Sequence, residues 1–369
     1  APRSLLEQQL AEIWTEILGL EKIGIHDNFF ELGGHSLLIT QLLAKVRTTF
    51  DVELPLKDLF NAPTIADLAE IIREIVEVDG KTERQEEEKI ALDLHSEVIL
   101  DSDIVTDHNY PNISTKPNSI LLTGATGFLG TFLLNELLQQ TSADIYCLVR
   151  AENDTLAQER IENKLKSYLL WDDSVRKRII PIVGDLSQPL LGLSRDRFNA
   201  IAKSVDVIYH NGAWVNFTYP YSQLKAANVS GTQEVLRLAV QSKVKPVHFI
   251  STKGVVGAAD PQLEIIREDT PIDHYEQIES GYTQSKWVAE KIVALARDRG
   301  IPISIYRPGR ISGHSQTGVC NPDDHTYRMI RGCIQLGSAP LDNSLVNLIP
   351  VDYAVGAIVH LSSQPESLG

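Results

Sequence analysis

A short apolar run, Ser119-Ile120-Leu121-Leu122-Thr123, passes directly into Gly124-Ala125-Thr126-Gly127-Phe128-Leu129-Gly130. A stretch with Phe132, Leu133, Leu137 and Leu138 at helical spacing follows. This order of strand, glycine loop and helix constrains the fold more than any other feature of the chain. Glycines permit a tight turn and close backbone approach, and the following helix points its positive end at any anion the loop admits. The spacing is Gly-x-x-Gly-x-x-Gly rather than the usual Gly-x-Gly-x-x-Gly dinucleotide fingerprint, but the physical logic is shared. Further apolar runs lie at 144–149, 180–186, 205–213 and 247–252, with helical stretches between them. The alternation predicts an α/β Rossmann-type doubly wound parallel sheet over residues 119–369.

Ligands of such sheets bind beyond the carboxyl ends of the strands. Thr123, Gly124, Thr126, Gly127, Phe128, Leu129 and Gly130 are therefore expected around a pyrophosphate. The second strand ends in Arg150. An acidic residue there would accept from the ribose 2′-hydroxyl of NAD, whereas a cation favours the 2′-phosphate of NADP. Arg150, with Arg160 as a second contact, thus points to NADPH. Asp185, beside Leu186, is placed to reach the adenine, and Asn211-Gly212-Ala213 supplies small residues where the cofactor passes. Tyr282 and Lys286 stand four apart in a helical stretch, hence on one face, where the ammonium is expected to lower the phenol's pKa from about 10. Tyr-x-x-x-Lys is common by chance; the glycine loop and Thr252, at the end of a strand, give it weight.

The N-terminal part follows a different period. Leu6, Leu10, Ile13, Ile17 and Leu20 recur at threes and fours, predicting a helix that ends near Gly19. A loop through Gly24, Asp27 and Asn28 carries Phe29, Phe30 and Leu32 as core plugs. After Gly33-Gly34-His35-Ser36 a second helix turns Leu37, Leu38, Leu42, Leu43 and Val46 inward. A third follows Pro63-Thr64 with Ile65, Leu68, Ile71, Ile72 and Ile75, and Thr64 and Asp67 are spaced like a capping box. Residues 1–78 thus read as a small all-α helical bundle. Ser36 stands where a loop enters a helix. By itself it is an ordinary N-cap residue, but a phosphate esterified to it would meet the helix's positive end.

Between the two lies an acidic linker, residues 79–118, with Glu86-Glu87-Glu88, few aromatics, Pro111 and Pro117. It reads as mobile or loosely packed at first, while Ile90 to Ile99 regain apolar spacing for a helix lying on the fold that follows. The net charge of −15 is uneven: residues 1–78 carry 13 acidic and 6 basic side chains, 79–118 carry 10 and 4, and the remainder 26 and 24. No cationic cluster suits nucleic acid, whereas a small acidic module suits basic patches on partner domains or is equally well a solvated acidic surface. No apolar run approaches the roughly 18 residues that span a bilayer, so no membrane partner is expected. Cys147, Cys320 and Cys333 form no Cys-x-x-Cys pair, which fits a reducing cytoplasm, and no metal site is expected. Ala1-Pro2-Arg3-Ser4 has neither an initiator Met nor a signal peptide's core and reads as part of a longer polypeptide.

From Leu6 to about Ile75, and most specifically through Asp27-Asn28-Phe29-Phe30-Glu31-Leu32-Gly33-Gly34-His35-Ser36-Leu37, the chain resembles the carrier (thiolation) domains of non-ribosomal peptide synthetases. The resemblance implies that Ser36 bears covalent 4′-phosphopantetheine, installed by a phosphopantetheinyl transferase. Residues 119–369 resemble the extended short-chain dehydrogenase/reductase superfamily. More narrowly, they resemble the thioester reductase domains that end some peptide synthetases, aminoadipate reductases and carboxylic acid reductases. That likeness rests on Cys147-Leu148-Val149-Arg150-Ala151, Gly184-Asp185-Leu186, His210-Asn211-Gly212-Ala213-Trp214-Val215-Asn216, Asn228-Val229-Ser230-Gly231-Thr232, Gly281 to Lys286 and Tyr306-Arg307-Pro308-Gly309-Arg310. It implies Thr252, Tyr282 and Lys286 as catalytic residues, Asn228 as a supporting polar group, and Pro308 and Gly309 beside the nicotinamide.

Together the two resemblances imply NADPH-dependent reductive release of a carrier-bound acyl or peptidyl thioester as an aldehyde, or as the alcohol after a second round. The substrate would come from upstream condensation and adenylation domains. Two rivals are a redox-inactive release or cyclisation domain, which intact Tyr282 and Lys286 oppose, and a sugar-nucleotide epimerase or dehydrogenase, which would not explain the attached carrier. Domains of this type usually continue into a further C-terminal region that covers the substrate, and part of that region is expected to be missing here.

Overall fold

Ser4 opens the first helix by accepting a hydrogen bond from the Glu7 amide at 3.1 Å, and Gly19, at φ 68°, closes it in the left-handed region. In the computed structural model this helix, α1, spans Leu5–Leu18, followed by α2 at Ser36–Phe50 and α3 at Ile65–Asp79. The structure describes residues 2–20, 22–29, 32, 36–50, 52, 62–79, 93–106, 116–263, 265–339 and 346–368. It divides the chain into two units, Ala1–Leu92 and Asp93–Gly369.

In the first unit Thr64 caps α3, accepting from the Asp67 amide at 3.2 Å while donating to its carboxylate at 2.7 Å. The predicted inward residues Leu10, Ile13, Leu42, Val46, Ile65, Leu68 and Ile72 form one core. Its centre is a pair the helical spacing had not singled out as a contact, Trp14 edge-on to Phe29 at 4.9 Å, both wholly buried. Phe30, Gly33, Gly34, His35 and the side chains of Ser36, Leu37 and Ile75 lie outside the described residues, but the backbone starts α2 at Ser36.

The second unit is built on six parallel strands: β1 (Ser119–Thr123), β2 (Asp144–Val149), β3 (Ile179–Val183), β4 (Val207–His210), β5 (Val247–Ile250) and β6 (Ile303–Tyr306). Their order is β3-β2-β1-β4-β5-β6. Side chains alternate across the strands and so feed two cores. Ile120, Leu122, Cys147 and Tyr209 join one with helices α4 (Phe128–Gln140) and α5 (Asp154–Ser167); Leu121, Leu148, Ile208 and Phe249 join the other with α6 (Arg195–Ser204). The helix after β4 runs as α7 (Tyr221–Lys225), a π-turn (Ala226–Ser230) and α8 (Gly231–Val240). Helix α9 (Gly281–Asp298) starts where Ser280 accepts from the Thr283 amide, and α10 (His325–Leu336) and α11 (Val351–Ser362) follow. A two-stranded parallel sheet, β7 (Arg310–Ser312) with β8 (Leu348–Pro350), adjoins them.

The predicted helix at 90–99 is absent over its described part. Residues 94–97 form a turn that Asp93 nucleates, its carboxylate accepting from the His95 amide at 3.0 Å. Residues 93–106 instead make a fixed strap. Leu94, Leu100 and Ile104 are buried in the second unit's core. Arg299 donates to the carbonyls of Leu100, Asp101 and Ile104, and Arg237 binds Asp101 and Asp103 at 2.6 and 2.8 Å. The expected packing on this fold is present up to Ile99, but as a turn and irregular run rather than a helix, and two arginines and three apolar anchors carry it on to residue 106. Among the described residues no helix is long and apolar enough to cross a membrane.

Candidate active site

Chain order along the sheet reverses between β1 and β4, and this opens a crevice at their carboxyl ends. A cleft of about 1160 Å³ occupies it, and the motif residues converge there. A second cavity of about 1020 Å³ lies toward the opposite ends of the strands and includes none of them.

Gly124 takes φ 75°, and a Cβ on it would stand 2.8 Å from the Gly212 Cα, so the ends of β1 and β4 approach as only glycine allows. A Cβ on Gly130 would meet the Gly124 carbonyl oxygen at 2.0 Å, which seats α4 against the loop. Gly127 differs: its Cβ would meet only that oxygen, at 3.4 Å, and would otherwise fill open cleft. No side chain caps α4 at Gly127, which leaves its first amides available to an anion. Inside the cleft, Ser251 is buried with its hydroxyl unpartnered among the described residues. A cradle that a methyl group would fill, an uncapped helix start and an orphaned hydroxyl together fit a dinucleotide.

Gly124, Thr126, Gly127, Phe128, Leu129 and Gly130 line this end of the cleft, and Arg150, Arg160, Asp185 and Leu186 line its flank. Arg160 is oriented by donating to the Arg150 carbonyl at 2.8 Å, and both side chains are exposed. One Asp185 oxygen is occupied by the Ser187 amide and hydroxyl, each at 2.8 Å. Asn211, Gly212 and Ala213 form the floor, with Pro308 and Gly309 opposite. Thr123 stands apart from this set: it is wholly buried behind the wall, where it accepts from the Gly212 amide at 2.8 Å.

Thr252, Tyr282 and Lys286 line the same cleft. Thr252 accepts from the Gly254 amide at 3.1 Å, which leaves its hydroxyl proton to donate. Lys286 is buried, donates to the Ile250 carbonyl at 2.8 Å and sits 4.2 Å above the Phe249 ring. Burial brings its pKa down to about 7, against an opposing pull from Glu290. That carboxylate is itself bound by Arg307 at 2.6 and 2.9 Å. Burial alone pushes the Tyr282 phenol up to about 12. The expected lowering by Lys286 is therefore absent, and the Lys286 ammonium is turned to a backbone carbonyl.

Two features take their physical basis from the fold alone, although Asn228 was expected as a supporting polar group and Trp214 and Asn216 lie in the motif that starts at His210. Asn228, on the π-turn, accepts from the Trp214 amide at 2.6 Å and donates to the Trp214 carbonyl at 3.1 Å and to Ser285 at 2.9 Å. Its amide thus bonds both the loop after β4 and the helix of Tyr282, and it is absent from the cleft lining. The loop itself is wound by Asn216, whose side-chain oxygen accepts from Thr218 and Tyr219. It presents Phe217, 63% exposed and edge-on to Tyr282 at 5.3 Å, beside the exposed Trp214. An exposed aromatic gives no periodic signal, so only the fold reveals this lip.

The fold and cleft define a nicotinamide-dinucleotide-binding oxidoreductase domain preceded by a helical carrier domain. Residues 122–358 match the NAD-binding family described as male sterility protein, and residues 8–72 match that described as phosphopantetheine attachment site. The chain is 50% identical over its whole length to part of a linear gramicidin synthase from Brevibacillus parabrevis, of which it spans 7%. The terminal R domain of the myxalamid PKS-NRPS pathway superimposes with a TM-score of 0.72 at 47% identity, over 76% of this chain and 71% of that one. An archaeal thiolation-reductase di-domain matches at TM-score 0.68 and 26% identity, over all of this chain and 77% of that one. The chain belongs to the terminal reductase domains of non-ribosomal peptide synthetases, here with a carrier domain.

The glycines predict separable effects. Gly127→Ala is expected to keep the melting temperature while weakening NADPH binding about tenfold or more, since its methyl group occupies the phosphate cradle. Gly130→Ala is expected to lower both, because its methyl group meets backbone. Calorimetry with cofactor titration checks the pair.

Proposed function

We propose that this chain reduces an acyl or peptidyl thioester, held on a 4′-phosphopantetheine arm at Ser36, and releases it as an aldehyde, or as an alcohol after a second round. One observation carries this reading: a single cleft joins a dinucleotide cradle flanked by Arg150 to an end that brings together Thr252, Tyr282 and Lys286 under an apolar lip. Residues 1–78 act as the carrier, 79–118 as the connection and 119–369 as the reductase. Upstream condensation and adenylation domains would supply the substrate, and a phosphopantetheinyl transferase would load Ser36. Free cysteines at 147, 320 and 333 accord with action in the cytoplasm.

NADPH, when bound, supplies the hydride. Gly124, Gly127 and the uncapped start of α4 would hold its pyrophosphate, Arg150 and Arg160 its 2′-phosphate, and Asp185 would reach its adenine. Lys286 would hold the nicotinamide ribose, with Pro308 and Gly309 beside the ring. Phe217 and Trp214 would cover the acyl chain and keep water from the carbonyl. Tyr282, with its phenol raised to about 12, keeps its proton throughout the neutral range and is placed to give it to the carbonyl oxygen as negative charge develops. Thr252 would donate a second hydrogen bond to that oxygen, and the resulting hemithioacetal would break its C–S bond, freeing the arm as a thiol and the acyl group as an aldehyde while Tyr282 regains a proton from solvent.

The decisive experiment loads Ser36 with an acyl-phosphopantetheine, follows NADPH oxidation, and identifies the product by mass spectrometry. The expected result is an aldehyde or alcohol, with the rate falling about 10²–10⁴-fold in Tyr282→Phe. Cyclised product without NADPH consumption would refute the reading. Arg150→Ala is expected to weaken NADPH binding by about 1.5–3 kcal/mol while leaving NADH binding unchanged, as titration of both cofactors would show.

The pH profile follows from Lys286. Its ammonium is present below about 7 and lost above it. In the free enzyme kcat/KM should therefore fall as pH rises through that value, far below the phenol's own limit. Lys286→Arg, permanently charged, should remove this limb. A wild-type profile flat from about pH 6 to about pH 9 would take the ammonium out of the mechanism.

A further inference from the structure

His210, the last residue of β4, is 2% exposed and lies inside the wall of the cleft. Each ring nitrogen meets a threonine: Nδ1 is 2.8 Å from Thr123 Oγ1 and Nε2 is 2.9 Å from Thr232 Oγ1. Each hydroxyl has one proton, and the neighbours decide where it goes. Thr232 donates to the Asn228 carbonyl at 2.7 Å, so it accepts from Nε2–H. On the neutral ring Nδ1 is then an acceptor, and Thr123 donates to it while accepting the Gly212 amide at 2.8 Å. The bonds run in one direction, from Gly212 through Thr123, His210 and Thr232 to the Asn228 carbonyl. From Asn228 the side-chain amide donates to Ser285 at 2.9 Å, and Ser285 donates to the Tyr282 carbonyl at 2.7 Å.

We propose that His210, neutral with its proton on Nε2, is a positioning residue that ties the cofactor floor at Gly212 to Asn228, and through Asn228 to the turn of α9 that carries Tyr282. The proposal rests on the reductase reading for its kinetic consequence but not for its chemistry. A second proton on the ring would leave the Thr123 hydroxyl with no acceptor and reverse the run at its midpoint. Burial, with Lys286 as the second cause, holds the ring's pKa near 3, so the arrangement persists at any working pH.

The test uses the full chain. Long-range ¹⁵N spectra should show the His210 ring protonated on Nε2, with shifts unchanged from about pH 5 to about pH 9. A ring that titrates in that window, or that carries its proton on Nδ1, overturns the proposal. Thr232→Val, which cuts one link and keeps the volume, should move the amide resonances of Ser285 and Tyr282; unmoved resonances would also overturn it. These arms need no turnover, so they stand if no NADPH is oxidised and the reductase reading fails. With turnover, Thr232→Val, which leaves the side of the chain toward Gly212 intact, should lower kcat on the order of tenfold to a hundredfold with the NADPH dissociation constant within about twofold, and His210→Phe, which also releases the floor, should lower kcat at least as far. The double variant should be little worse than His210→Phe alone, because both cut one chain. Fully additive losses, or a Thr232→Val loss matched by weaker cofactor binding, would mark an ordinary packing role.

Discussion

The approach of Gly124 to Gly212 is the contact on which the rest of this protein's chemistry hangs. Two adjacent strands end there, and a single Cβ on Gly124 would force them apart. With the strand ends this close, α4 can point its uncapped start into the crevice from one side while β4 sends its loop across from the other. The glycine loop, the aromatic lip and the floor are consequences of one backbone approach. A parallel sheet supplies the rigidity this needs, because its two cores grip the same strands from both faces.

The end of the cleft that holds Tyr282 and Lys286 depends on a different constraint, the cost of burying charge. Lys286 is inside a wall of apolar residues with one carbonyl and one ring face as neighbours. The carboxylate that favours its ammonium, Glu290, is bound instead by Arg307. The site therefore holds its lysine near the edge of ionisation and its tyrosine firmly protonated. A buried acid that does not ionise early suits the delivery of a proton to an oxygen that becomes negative only during the reaction.

What could be read from the sequence was whatever the local backbone dictates. The strand endings, the glycine spacing, the placing of Tyr282 and Lys286 on one face of a helix and the Thr64 cap are visible because they need only neighbours in the chain. Interactions between distant segments stayed hidden. Lys286 meets the carbonyl of Ile250, 36 residues away, and burial by distant segments raises the phenol where a lowering was expected. Asn228 owes its role to a π-turn, a one-residue irregularity that leaves no periodic trace. Thr123 sits in the right motif, yet its partners on β4 draw it behind the wall.

The strap at 93–106 was legible as apolar spacing that packs on the fold that follows, up to Ile99, but not as the turn and irregular run it forms, and Ile104 gave no such signal. The strap alters where the second unit begins as a folding entity. A fragment started at Ser119, where the first strand opens, would leave the seats of Leu94, Leu100 and Ile104 open to water, at a cost of about 1.5–3 kcal/mol for each side chain. It would also strip Arg299 of three backbone acceptors and Arg237 of two of its carboxylates. An excised domain that kept the strap would retain its own lid over that core, and one cut at the sheet would be prone to aggregate for reasons unrelated to catalysis.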